Sequence, residues 1–159
     1  MGGGPNGGGS AGGRRDEVVL ITGCSDGGIG AALANEFCKA GFSVVATSRS
    51  LDTMKSFKGH PHVEILALDV SVEESVKAAV DVVMSMYGRI DILVNNAGMP
   101  CNSPLAETPV SLMEKVYRTN FLGTKTLALP LFSSFFTHIW LYVRLLLHCI
   151  CIGDILRKV

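Results

Sequence analysis

Residues 18–30 read Val18-Val19-Leu20-Ile21-Thr22-Gly23-Cys24-Ser25-Asp26-Gly27-Gly28-Ile29-Gly30. An apolar, β-branched run gives way to a glycine-rich turn, and the turn opens an amphipathic helix carrying Ile29, Leu33 and Phe37 at helical spacing. Glycines at such a turn let the backbone approach a diphosphate closely. The helix behind them offers unpaired N–H groups and a partial positive charge. The stretch therefore predicts a strand, a phosphate-binding turn and a helix, and with them a dinucleotide.

Around this unit the chain alternates. Ser43 to Thr47, Val63 to Leu68 and Ile90 to Val94 read as further strands. Gly41 is expected to stop the first helix. Ser71-Val72-Glu73-Glu74 reads as a capping box before a stripe of Val72, Val76, Val80, Val83 and Tyr87, and Gly88 ends that helix. Glu107-Thr108-Pro109 starts another helix, with Pro109 in its first turn and Ser111 and Glu114 spaced as a second box. Strands alternating with helices imply right-handed crossovers and a parallel sheet.

Bulk properties narrow the function. The 159 residues suffice for one domain with a core, and a hydrophobic share of 48% suits a buried parallel sheet. A formal net charge of +0 gives no sign of a nucleic-acid partner. The five cysteines (Cys24, Cys38, Cys101, Cys149, Cys151) include no CxxC pair, which argues against a disulfide framework and against metal. That usage fits a reducing compartment, and the expected location is cytoplasmic. Residues 1–15 are mostly glycine and are expected to be disordered; they lack the apolar core of a secretory signal.

Four short motifs carry the chemistry. Gly23, Ser25, Gly28, Ile29 and Gly30 form the phosphate turn. Arg49, in Thr47-Ser48-Arg49-Ser50, stands where NAD-binding domains of this kind usually place an acid on the ribose 2′-hydroxyl. A guanidinium flanked by hydroxyls suits a 2′-phosphate, so NADP is favoured over NAD. Asp69 and Val70, in Leu68-Asp69-Val70-Ser71, close the third strand; Asp69 is placed to accept from the adenine amino group or to help cap the next helix. Asn96, Ala97 and Gly98, in Asn95-Asn96-Ala97-Gly98, end the fourth strand at the carboxyl edge where open sheets bind ligands.

Together these motifs resemble the short-chain dehydrogenase/reductase family, from about Val18 to Gly123. The family's Thr-Gly-x-x-x-Gly-x-Gly appears here as Thr22-Gly23 and Gly28-Ile29-Gly30, with one extra residue in the turn. The wording of the turn is similar to the subgroup of NADPH-dependent 1-acyl-dihydroxyacetone phosphate reductases. Asn120, in Tyr117-Arg118-Thr119-Asn120-Phe121, falls where the family keeps its catalytic asparagine. The resemblance implies an α/β fold: a Rossmann-type doubly wound parallel sheet, incomplete, in strand order 3-2-1-4, with an apolar helical C-terminal tail. It places an NADP-binding domain at 16–124 and a divergent hydrophobic tail at 125–159. It implies an NADP(H)-dependent oxidoreductase that reduces a ketone, such as an acyl-dihydroxyacetone phosphate or another lipid-derived carbonyl. It also implies a homo- or heterodimer through helix 109–123.

The resemblance breaks where the family's proton chemistry should stand. That chemistry needs a serine and a Tyr-x-x-x-Lys. Here Tyr87 is followed four residues on by Asp91, Tyr117 by Phe121 and Tyr142 by Leu146, while Lys158 lies too far from Tyr142. Strands five to seven are expected to be missing and the chain to be inactive. From Leu127 to Ile152 it is almost wholly apolar, and three readings stand open. The run is unrelated sequence joined to an interrupted reductase. Or it is a span of the endoplasmic reticulum membrane, against which Arg144 costs about 2.5–3.5 kcal/mol. Or it packs as helix or strand over the flank of strand four. A non-catalytic NADP-binding or heterodimerising fragment is the alternative to an enzyme.

Overall fold

The computed structural model of the chain describes residues 17–134 and 141–144. The glycine-rich start, the cysteines Cys149 and Cys151, and Lys158 lie outside them. The elements run β1 (Val18–Thr22), α1 (Ile29–Lys39), β2 (Ser43–Ser48), β3 (Val63–Ala67), α2 (Glu73–Tyr87), β4 (Ile92–Asn95), α3 (Val110–Tyr117), α4 (Gly123–Ser134) and β5 (Leu141–Arg144). The strands form one parallel sheet in the order β3-β2-β1-β4-β5.

The order 3-2-1-4 is the expected one, and the tail begins with a helix, as expected. A fifth strand follows β4 in the sheet, against the expectation that strands five to seven are missing. Leu141–Arg144 pairs in register with Ile92–Asn95. A bare β4 edge would expose a row of unpaired backbone groups, and a short apolar strand satisfies them. This is the third reading of the apolar run. A single helix over 127–152 does not form, and among the described residues no helix is long and apolar enough to cross a membrane.

Alternation along the strands builds two cores. Val19, Ile21, Val44, Ala46 and Val94 face α1 and pack on Ala31 and Ala34. Val18, Leu20, Val45 and Leu93 point to the other face, onto Val76, Ala79, Val80 and Val83 of α2 and Leu127 of α4. Helices cover both faces, so β1 is buried along its whole length. Gly88 ends α2 in the left-handed conformation at φ 70° that favours glycine.

Two capping expectations fail. Helix α2 starts at Glu73, and its N-cap Val72 makes no side-chain bond. Ser71 is spent elsewhere: its N–H and hydroxyl both donate to Asp69 Oδ1, at 2.9 and 2.6 Å. With Val72 outside the helix and exposed, the buried stripe runs Val76, Ala79, Val80, Val83. Helix α3 starts at Val110, so Ser111 lies inside it and Pro109 is its N-cap. The helix expected over 109–123 is interrupted by a π-turn at Arg118–Leu122 before α4 continues it. Around this wider turn, Thr124 Oγ1 donates to Asn120 O at 3.2 Å and Thr126 Oγ1 to Leu122 O at 3.0 Å.

Between β2 and β3 two short 3₁₀ turns, Leu51–Thr53 and Lys55–Phe57, drop Met54 and Phe57 into the α1-side core. Phe57 is 1% exposed. Truncating it leaves a ring-sized void in a close-packed layer. Phe57→Ala is expected to cost about 3–5 kcal/mol, read as a lowered midpoint in urea unfolding.

Candidate functional site

At the carboxyl ends of β1, β2 and β4 the apolar sheet becomes polar, and a network of local bonds ties these ends together. Thr22 Oγ1 donates to Val94 O at 3.3 Å and accepts from the N–H groups of Asn96 and Ala97 at 3.0 and 2.9 Å. Asn96 Nδ2 donates to Thr22 O at 2.8 Å and to Gly23 O at 3.0 Å. Thr47 Oγ1 donates to Ile21 O at 3.0 Å, and Cys24 N–H donates to Thr47 O at 2.8 Å. These bonds fix the glycine turn against the sheet.

Close packing sets the glycines. Gly23 lies at φ 74°, and a Cβ there would meet Ala97 Cα at 2.8 Å. A Cβ on Gly30 would come within 2.4 Å of Gly23 O and 2.6 Å of Asn96 Nδ2. Only glycine allows α1 to start this close to β1 and β4. Gly28, the N-cap of α1, is extended and offers no side chain to the helix, and no acidic residue stands in the first turn. The first N–H groups of α1 thus keep their capacity for an anion.

A cleft of about 540 Å³ opens above this turn. Of the residues singled out from sequence, Gly23, Ser25, Ile29, Arg49, Asp69, Val70, Asn96, Ala97 and Gly98 line it. Gly28 and Gly30 lie beneath, shaping the turn. Asn120 does not line the cleft. Its Oδ1 accepts from Met99 N–H at 2.9 Å and its Nδ2 donates to Met99 O at 3.0 Å, so its amide clamps the loop after β4 to the π-turn. Its neighbour Thr119 lines the cleft instead, with Met99, Pro100 and Asn102.

The Arg49 end holds a triangle of hydroxyls. Ser25 and Ser48 lie 3.1 Å apart, Ser48 and Thr53 2.9 Å, and Ser25 donates to Thr53 at 3.2 Å. Thr53 in turn donates to Ser50 O at 2.7 Å. Ser48, 7% exposed, was visible in sequence only as a neighbour of Arg49, and Thr53 gave no signal there. The arrangement fits a dinucleotide: small residues where a diphosphate would approach, an open helix N-terminus, and a guanidinium beside hydroxyls.

Cys24 contributes no nucleophile. Burial pushes its thiol up to about 12, and its Sγ donates to Ile21 O at 3.4 Å. The raised value means its thiolate, and with it alkylation, appears only at strongly alkaline pH. At pH 8 Cys24 carries on the order of a thousandfold less thiolate than an exposed cysteine. In the folded chain, iodoacetamide is expected to label the half-buried Cys38 and Cys101 and spare Cys24, read by peptide mass spectrometry. Gly30→Ala is expected to abolish saturable dinucleotide binding, because the new methyl group must displace Gly23 O or Asn96; a fluorescence titration checks it.

The family model for the short chain dehydrogenase matches residues 17–136. An NADPH-dependent 1-acyldihydroxyacetone phosphate reductase of Schizosaccharomyces pombe is 40% identical over 109 residues, covering 68% of this chain and 36% of that protein. The structure of 3-ketoacyl-(acyl-carrier-protein) reductase from Brucella melitensis, complexed with NADH, superposes with a TM-score of 0.69 at 31% identity, covering 75% of this chain and 50% of that one. ElxO with NADP bound gives a TM-score of 0.64 at 36% identity, covering 70% of this chain and 47% of that one. The chain thus spans about a third to a half of the length of these relatives.

Proposed function

Since the chain belongs to the short-chain dehydrogenase family, we propose that it binds NADP(H) in the cleft above its glycine turn. The observation that carries this reading is Arg49, exposed on the rim beside the Ser25–Ser48–Thr53 hydroxyls, with no carboxylate at the end of β2. Gly23, Ser25, Gly28, Ile29 and Gly30 would hold the diphosphate, Arg49 the 2′-phosphate, and Asp69 with Val70 the adenine. Asn96, Ala97 and Gly98 would leave room for the nicotinamide ribose. The relative bound to NADP and the NADPH-dependent relative support this choice.

Bound NADP(H) supplies a hydride, and a family reductase uses it on a ketone. An acyl-dihydroxyacetone phosphate or a similar lipid-derived carbonyl is the substrate class that the reductase of Schizosaccharomyces pombe supports. In these 159 residues no tyrosine is followed four positions later by lysine, so we propose that the chain binds the cofactor without turnover. Asn120, the one carried-over residue of the active site, would act by holding the Met99 loop as a wall of the cleft. The cysteine usage supports a cytoplasmic location and no metal, and the balanced charge gives no sign of a nucleic-acid partner.

An NADPH titration followed by fluorescence tests the reading, with NADH as comparison. The expected result is saturable binding that prefers NADPH by about tenfold or more, lost on Arg49→Asp. Equal affinity for both cofactors, or binding of neither, would overturn it. Ketone-dependent NADPH oxidation lost on Asn120→Ala would show turnover and refute the non-catalytic part.

A second observation favours an association role. On α3 and the π-turn, Val110 is 67% exposed, Tyr117 53% and Phe121 49%, and the two rings stack at 5.2 Å. This face would pair with a second copy or with a longer relative. Phe121→Glu is expected to turn a dimer into a monomer in light scattering while leaving NADPH binding intact.

A further inference from the structure

We infer that Asp26, within the glycine turn, is a positioning residue for the 2′-phosphate subsite: it docks the segment Leu51–Phe57 onto the turn and so holds Arg49 in register. The inference rests on the NADP(H) reading above.

The geometry is specific. Asp26 N–H donates to Thr53 O at 2.7 Å. Its carboxylate accepts from Lys55 N–H at 2.9 Å, from Ser56 N–H at 3.3 Å and from the Ser56 hydroxyl at 2.5 Å. Four hydrogen bonds thus tie one residue of the turn to three consecutive-turn positions of the segment. The hydroxyl of Ser56, followed by the two backbone bonds and the charge of Lys55, holds the Asp26 carboxyl below its usual range. The carboxylate is therefore ionised at neutral pH and turned toward donors on the 3₁₀ segment.

The other anchor of that segment is Ser50. Its hydroxyl accepts from Asp52 N–H at 3.3 Å, and its carbonyl accepts from Thr53 N–H at 3.2 Å and Thr53 Oγ1 at 2.7 Å. Arg49 stands between Ser50 and Ser48, the last residue of β2. Its backbone is held on one side by the sheet and on the other by a segment whose contact with the turn runs through Asp26 and Thr53. Asp26 itself does not line the cleft. A carboxylate near a phosphate site would repel the ligand if it faced it; here its charge is absorbed by the Lys55–Ser56 donors. Removing it frees the segment rather than relieving repulsion.

The test is a double-mutant cycle on the full chain, titrated with NADPH and with NADH. Asp26→Ala is expected to weaken NADPH by about tenfold and NADH by less than about twofold, because NADH has no 2′-phosphate for Arg49 to hold. Ser56→Ala, on the exposed side of the same contact, is expected to shift NADPH in the same direction by about two- to threefold. In the cycle with Arg49→Ala, the double variant should lose little more than Arg49→Ala alone, since Asp26 acts through that guanidinium. Equal weakening of both cofactors, additive losses, or tighter NADPH binding in Asp26→Ala would each overturn the inference while leaving the NADP(H) reading intact. Binding of neither cofactor by the parent chain would overturn both.

Discussion

The structure depends on one close approach, that of α1 to the ends of β1 and β4 at Gly30. A helix can begin there only because no side chain intervenes, and a single Cβ would fall 2.4 Å from Gly23 O. The approach brings Asn96 within bonding distance of both Thr22 O and Gly23 O, and lets Thr22 receive two N–H groups from the β4 end. Elsewhere the sheet is held by its backbone ladders and by apolar burial on both faces. Here side-chain bonds from Thr22 and Asn96 add to the ladders and set the height of the turn above the sheet, beside the open N-terminus of α1.

The two faces of the sheet carry different loads. On the α1 face, Met54 and Phe57 close the core from the segment that follows Arg49. On the other face, α2 and α4 share one layer through Val76, Val80 and Leu127, and α4 can come close because Gly123 lies against Val70, where a Cβ would meet Val70 O at 2.8 Å. The cleft is thus walled by loops that each follow a core element. Asn95 Nδ2 is a buried donor with no partner among the described residues, at the end of β4, where the polar rim begins.

Much of this was legible in the sequence because period and turn chemistry agreed. The alternation Val18-Val19-Leu20-Ile21 belongs to a strand buried on both faces, and the glycines that follow it have few other uses. Strand β4 was placed two residues early because Ile90 is as apolar as a strand residue. It is buried in the preceding turn instead, where Asp91 accepts from Val18 N–H at 2.7 Å. The capping boxes were misread because Ser71 bonds Asp69 rather than the helix, a choice set by the turn and not by spacing. The 51–57 segment was missed, although Leu51, Met54 and Phe57 recur every third residue, the period of a 3₁₀ helix. The fifth strand lies in a run without clear period, and only the unpaired flank of β4 specifies it.

Asn120 bears on the proposed separation of binding from chemistry in this chain. By sequence it is a catalytic residue, yet both ends of its amide are engaged by the Met99 backbone. Its two bonds tie Met99, and with it the wall that continues to Pro100 and Asn102, to the π-turn. The nucleotide side of the cleft is likewise assembled from bonds internal to residues 18–57 and 92–97. A cofactor pocket built this way can persist where the proton-transfer residues of the family are absent, because none of its supports passes through them.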